Sequence, residues 1–149
     1  MENITYYTGH SKCPPLFALS PSCAKATEGR PKILLVEDNS IARTAEKLIL
    51  ESLGCEVVTA KDGEEGLKYF NSKLQAVVLD IDLPGISGIT VAQAIRKNNF
   101  NIPIIACTSS HRFSEAEYVN AGINLVLEKP MRIKKTYTSL MSYMQQQVH

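Results

Sequence analysis

Lys32-Ile33-Leu34-Leu35-Val36-Glu37-Asp38 decides the reading of this 149-residue chain. A short apolar run that stops at charge and turn residues is the pattern of a strand buried on both faces, as strands of a parallel sheet are. The pattern recurs. Ala76-Val77-Val78-Leu79 is closed by Asp80, and Leu125-Val126-Leu127 runs through Glu128 into Lys129-Pro130. In open α/β sheets the chemistry lies outside the carboxyl ends of the strands. Glu37, Asp38, Asp80 and Lys129 are therefore expected to converge on one pocket, although they are far apart in sequence. Clustered carboxylates repel one another unless a cation joins them. Hard oxygen ligands without His or Cys suit magnesium, an ion that keeps open positions for a phosphoryl group.

Outward from these runs, strands and helices alternate. The first strand is Ile33 to Val36. A helix over about Ser40 to Leu53 places Ile41, Ala45, Leu48 and Ile49 on one face and stops at Gly54. Cys55 to Thr59 forms the second strand, and Asp62 caps a helix holding Leu67, Tyr69 and Phe70. Gln75 to Leu79 is the third strand. The loop Leu83-Pro84-Gly85-Ile86-Ser87-Gly88 leads to a helix over about Ile89 to Lys97. Ile102 to Cys107 is the fourth strand, followed by a helix over about Ser114 to Ala121 that ends at Gly122. Ile123 to Leu127 is the fifth, and a last helix runs from about Ile133 toward Gln147. Five strands alternating with five helices define an α/β, doubly wound parallel sheet of flavodoxin-like order 2-1-3-4-5. That order sets the ends of the first and third strands side by side, so Glu37, Asp38 and Asp80 meet at the switch point.

Composition narrows the classes. A net charge of +1 gives no broad field for nucleic acid or membrane, and no segment is long enough to span a bilayer. The cysteines, Cys13, Cys23, Cys55 and Cys107, form no CxxC pair and no zinc-spaced cluster with His. Cys107 ends an apolar run as a small hydrophobe, and the expected compartment is reducing, hence cytoplasmic. Residues 1–31 are rich in Ser, Thr, Pro and Gly and read as a linker or tail; the apolar patch Leu16-Phe17-Ala18-Leu19 is the part able to dock or to form a short strand. The start is not a signal peptide.

Four pieces in chain order carry a family resemblance: Leu34-Leu35-Val36-Glu37-Asp38-Asn39, Val78-Leu79-Asp80-Ile81-Asp82-Leu83-Pro84-Gly85, Ile104-Ile105-Ala106-Cys107-Thr108-Ser109 and Glu128-Lys129-Pro130. Each is weak alone. Together, each at a strand end, they make residues 32–147 resemble the receiver domain of two-component signalling. The resemblance implies that Asp80 accepts a phosphoryl group from a phosphohistidine. It implies that Glu37, Asp38, Asp80 and the main-chain carbonyl of Asp82 hold Mg2+, that Thr108 is the switch hydroxyl, and that Lys129 is the phosphate-binding ammonium. It also implies a cis Lys129-Pro130 bond that aims the ammonium into the pocket. Chemistry agrees: a carboxylate can take a phosphoryl group as an acyl phosphate, and the spread negative charge of that group calls for positive charge and in-line placement.

Three positions depart from the family pattern. Val126 stands where a rotating Tyr or Phe is usual, Asp82 adds an acid two residues past the acceptor, and Ser110 with a solvated His111 follows Thr108. The first helix, with Ile41, Arg43, Thr44 and Leu48, resembles the docking face for a histidine-bearing helix pair of a histidine kinase or phosphotransfer protein. The last helix, with Lys134, Lys135, Tyr137, Met141 and Met144, is read as core plus solvated charge, with a homodimer or an output partner as the alternative use. No output module has room before His149, so the chain is a stand-alone receiver or a piece of a hybrid kinase.

Two other function classes fit part of this pattern. Asp80-Ile81-Asp82 has the DxD spacing of haloacid-dehalogenase phosphatases, but those carry it on the first strand with the acidic metal pair later, the reverse of the order here. A phosphorylation-independent adaptor would keep the pocket as a relic, and its partner binding would survive Asp80→Asn. A flavin protein on this fold needs a phosphate loop after the first strand, and none is present.

Overall fold

The computed structural model describes residues 5–6, 30–98 and 101–144. Its elements are β1 (Thr5–Tyr6), β2 (Lys32–Val36), α1 (Ser40–Ser52), β3 (Glu56–Ala60), α2 (Gly63–Tyr69), β4 (Ala76–Asp80), α3 (Gly88–Asn98), β5 (Ile104–Thr108), α4 (Glu115–Asn120), β6 (Leu125–Glu128) and α5 (Ile133–Met144). The sheet order is β1-β6-β5-β4-β2-β3. Without β1, this is the expected 2-1-3-4-5 order, with every neighbouring pair parallel.

The sixth strand was not part of the expected five. Thr5 pairs with Val126 and Tyr6 with Leu125, antiparallel to β6. The rest of the expected tail, with Cys13, Cys23 and the patch at residues 16–19, lies outside the described residues, as does the last helix beyond Met144. The two-residue strand carries no alternation of its own, and a run so short gives the sequence no period to detect.

Strand alternation builds two cores from one sheet, because successive side chains point to opposite faces. Leu34, Val36, Val77, Leu79, Ile104 and Ala106 join Val91 and Ile95 of α3 and Tyr118 of α4 on one side. Ile33, Leu35, Val78, Ile105, Cys107, Leu125 and Leu127 join Leu50 of α1 on the other. This is why the runs are apolar throughout rather than alternating. Cys107 is buried as a free thiol, as expected of a small hydrophobe.

In α1 the apolar face named from the sequence is not the face that packs on the sheet. Ile41 is 80% exposed and Leu48 61%, whereas Glu46 and Leu50 are the buried positions. Ile41, Ala45 and Leu48 thus face outward, as a docking face requires, with Ile49 half-buried beside them, while the neighbouring face, through 46 and 50, lies on the sheet. Gly54 closes the helix in the left-handed region at φ 92, which glycine enters without a Cβ clash.

At the site end the decisive close approach is Gly88, the first residue of α3. A Cβ there would lie 2.3 Å from the Asp80 carbonyl oxygen and 2.7 Å from Ile81 Cα. Both are backbone atoms and cannot step aside as a flexible side chain would. Gly88→Ala should therefore lower stability by about 1–3 kcal/mol, the usual range for overpacking, read as a drop in the urea midpoint. An unchanged midpoint would mean that α3 can slide away from β4 at no cost.

Candidate functional site: an acidic pocket closed by a lysine

The site stands at the carboxyl ends of β2, β4, β5 and β6. Register brings the residues together: Val36 lies opposite Leu79 and Asp80 opposite Cys107, so Glu37, Asp80 and Thr108 follow one another across the sheet. Glu37 and Asp80 are buried, at 1% and 6% exposure, while Asp38 faces out. One carboxylate oxygen from each of the three lies within 4.8 Å of the others.

Local bonds free these acids from structural duties they could otherwise serve. The α1 cap is Asn39, whose Oδ1 accepts the N–H groups of Ile41 and Ala42 at 3.0 Å each. Glu37 and Asp38 are thus not needed as caps. The Asn39 N–H donates to Glu37 Oε1 at 3.1 Å, and Arg43 Nη1 donates to the carbonyls of Glu37 (2.9 Å) and Asp38 (3.3 Å). The turn after β2 is held by the first turns of the helix that follows it.

Two carboxylates at this spacing repel by about 3 kcal/mol at an effective dielectric of ~20. Lys129 offsets part of this repulsion. Its Nζ donates to Glu37 Oε2 and lies 3.2 Å from Asp80 Oδ2. Its backbone N–H donates to the Thr108 carbonyl at 2.9 Å, tying the end of β6 to that of β5. The Lys129–Pro130 peptide is cis. Burial by itself would lower the ammonium's affinity for its proton, but the bond to Glu37 and the charges of Asp80 and Glu37 hold it above the usual lysine range. Burial raises Glu37, with help from the Asp80 charge and against the pull of Lys129.

The Thr108 hydroxyl faces Asp82 and Ser110. Its Oγ1 lies 3.3 Å from Asp82 Oδ2 and accepts the Ser110 N–H at 3.1 Å. Ser110 Oγ donates to Asp82 Oδ2 at 2.8 Å, and Arg112 Nη1 donates to Asp82 Oδ1 at 3.2 Å. The Asp82 N–H in turn donates to Asp80 Oδ1 at 3.1 Å. His111 is exposed.

One member of the site escaped the sequence reading. Glu46, on α1, is 5% exposed and lines a groove of about 410 Å³ with Ala42, Ile49, Ser109, Lys129 and Met131. Burial, then the Glu37 charge, pushes its carboxyl up to about 7. The signal was present, since Glu46 and Leu50 are one turn apart and share a face, but an acid on a helix is ordinarily solvated.

The response regulator receiver domain family matches residues 33–140. Over 100 residues the chain is 40% identical to the uncharacterized transcriptional regulatory protein YrkP of Bacillus subtilis, covering 66% of this chain and 43% of that one. It is 36% identical over 104 residues to the CAI-1 autoinducer sensor kinase/phosphatase CqsS of Vibrio cholerae, covering 66% and 15%. The chain thus spans less than half the length of these relatives. Among solved structures, the receiver domain of a Pseudomonas aeruginosa sensor histidine kinase, with a magnesium ion coordinated in its active site cleft, aligns with a TM-score of 0.71 at 30% identity, over 78% of this chain and 98% of that one. The chain belongs to the response regulator receiver domain family, a signalling class that serves both transcriptional regulators and sensor kinases. Among the described residues no helix is long and apolar enough to cross a membrane.

The Glu46 carboxyl gives a pH dependence. Its folded value, about 7, lies above its ordinary 4.5, so the folded state holds the proton more tightly. The resulting stabilisation is present in full below about pH 4.5 and is lost as pH rises toward 7. In chelator, Glu46→Gln should gain on the parent protein between pH 4.5 and 8 by about 1–3 kcal/mol after solvent screening. Parallel unfolding curves for the two proteins at both pH values would contradict the assignment.

Proposed function

We propose that this domain takes a phosphoryl group from a phosphohistidine onto Asp80 and returns to rest by hydrolysis of the acyl phosphate. The observation that carries the reading is the setting of Asp80: a buried carboxylate at the end of the central strand, with an ammonium 3.2 Å from one oxygen and two further carboxylates beside it. A carboxylate oxygen attacks phosphorus, the bond from phosphorus to the imidazole nitrogen breaks, and its electron pair stays with that nitrogen. Asp80 Oδ1 already accepts the Asp82 N–H, while Oδ2 faces Lys129. Lys129 is the residue to follow the transferred group, exchanging its contact with Asp80 for a phosphoryl oxygen. Thr108 donates its hydroxyl to another of those oxygens.

Glu37, Asp38 and Asp80 fit Mg2+, with the main-chain carbonyl of Asp82 as a further ligand. The donors are all hard oxygens, and they crowd together closely enough to hold a cation, Lys129, among them. When bound, magnesium supplies positive charge to the phosphoryl oxygens.

A histidine kinase or histidine phosphotransfer protein is the partner in this reading. Ile41 and Leu48 offer exposed apolar side chains on α1, beside the groove that runs past Glu46 to Lys129. An apolar helix pair seated there would bring its histidine to Asp80. The domain's own catalysis is confined to its phosphorylation and dephosphorylation.

Intact-protein mass after incubation with magnesium and acetyl phosphate tests this. One phosphoryl adduct is expected, absent in Asp80→Asn and in chelator. If no adduct forms, and none forms with a phosphohistidine donor either, the phosphotransfer reading is wrong. Partner binding that Asp80→Asn leaves unchanged would then identify an adaptor, a reading favoured by the aliphatic Val126.

A further inference from the structure

Asp82 grips both halves of the site. Through its backbone N–H it holds Asp80 Oδ1. Through its carboxylate it holds Ser110 Oγ at 2.8 Å and lies 3.3 Å from Thr108 Oγ1, while Arg112 reaches its other oxygen at 3.2 Å. Ser110 closes the ring by donating its N–H to Thr108 Oγ1. The hydroxyl that the phosphoryl group would recruit is thus already engaged, and the segment carrying it, residues 108–112, is pinned at three points to one acid.

We propose that Asp82 is a resting-state latch, a positioning residue whose carboxylate holds Thr108, Ser110 and Arg112 in place until a phosphoryl group adds further negative charge and its own acceptor oxygens at Asp80. The proposal rests on the phosphoacceptor reading and adds what restrains the switch before transfer. A phosphorylated Asp80 places a dianion two residues away from the Asp82 carboxylate. The two repel, and the phosphoryl oxygens compete for the same donors, Thr108, Ser110 and Arg112. Releasing Asp82 then frees the loop as one unit.

A route leads onward from the loop. The Arg112 guanidinium lies 5.6 Å over the centre of the Phe113 ring. Phe113 meets Tyr118 edge to face, with centroids 6.1 Å apart, and Tyr118 is the buried residue of α4. Unlatching Arg112 therefore acts on the packing of α4. Val126, at the place of the ring this family commonly rotates, is aliphatic, so Phe113 on the β5–α4 connection and Tyr118 of α4 supply the aromatic link that β6 lacks.

The test compares phosphoryl uptake from acetyl phosphate with magnesium in the parent protein, Asp82→Ala, Asp82→Asn and Ser110→Ala, alongside amide hydrogen exchange of residues 109–113 in the unphosphorylated proteins. The latch predicts uptake about fivefold faster in both Asp82→Ala and Ser110→Ala, the size of one net hydrogen bond, with lost protection in the loop. Asp82→Asn keeps an oxygen for Ser110 and should stay nearer the parent. A misfolded variant would slow uptake rather than speed it. If Ser110→Ala behaves as the parent and Asp82→Asn is as fast as Asp82→Ala, Asp82 acts by charge alone and the latch is overturned. If the parent takes no phosphoryl group, the phosphoacceptor reading fails by itself. The exchange data then decide the latch: protection unchanged in Asp82→Ala overturns it, and protection lost there upholds it.

Discussion

The ammonium of Lys129 between Glu37 and Asp80 is the contact on which the rest of the site depends. Parallel strands deliver their carboxyl ends to one rim, and in this sequence three of those ends carry acid or base. Without a cation the rim would hold two buried carboxylates with no counter-charge, an arrangement that proteins avoid by changing protonation or by unfolding locally. With the lysine in place, the acids stay together and poised, and the same positive charge is available to any anion that enters. The arrangement is stable at rest because it is pre-organised for something else to bind.

That dependence explains how the surrounding structure is built. Arg43 and Asn39 fix the turn that carries Glu37 and Asp38, Gly88 lets α3 press against the backbone of Asp80, and the N–H of Lys129 ties β6 to β5. Each of these contacts is backbone to backbone or side chain to backbone, so the pocket is positioned by the main chain. The functional side chains are left with few structural obligations, which is how a fold keeps them available for chemistry.

Much of this was legible in the sequence. Unbroken apolar runs ending in charge identified buried parallel strands, and the alternation with helices gave the order of the sheet, because few topologies satisfy both constraints. The meeting of Glu37, Asp38 and Asp80 followed from that order, and the place of Lys129 on the same rim from its position at a strand's carboxyl end. What escaped was set by tertiary choice. The rotation of α1 that buries Glu46 is decided by the packing of the whole helix against the sheet. The ring of bonds around Asp82 needs atomic positions in two loops separated by 28 residues, which no spacing rule reports. β1 is too short to have a pattern.

That shortest strand has a consequence for the molecule's neighbours. An uncovered β6 would present the amides and carbonyls of Leu125 and Val126 to any extended chain nearby, the usual template for strand-on-strand aggregation. Pairing with Thr5 and Tyr6 covers those groups, and among the described residues the edge passes to a strand of two residues, too short to recruit another. At the opposite margin β3 begins with an exposed Glu56 that pairs with Lys32, placing charge where a foreign strand would have to lie. Among the described residues both margins of the sheet are thus poor templates for a further strand, while the rim that carries the acids and Lys129 lies at right angles to them, at the strand ends.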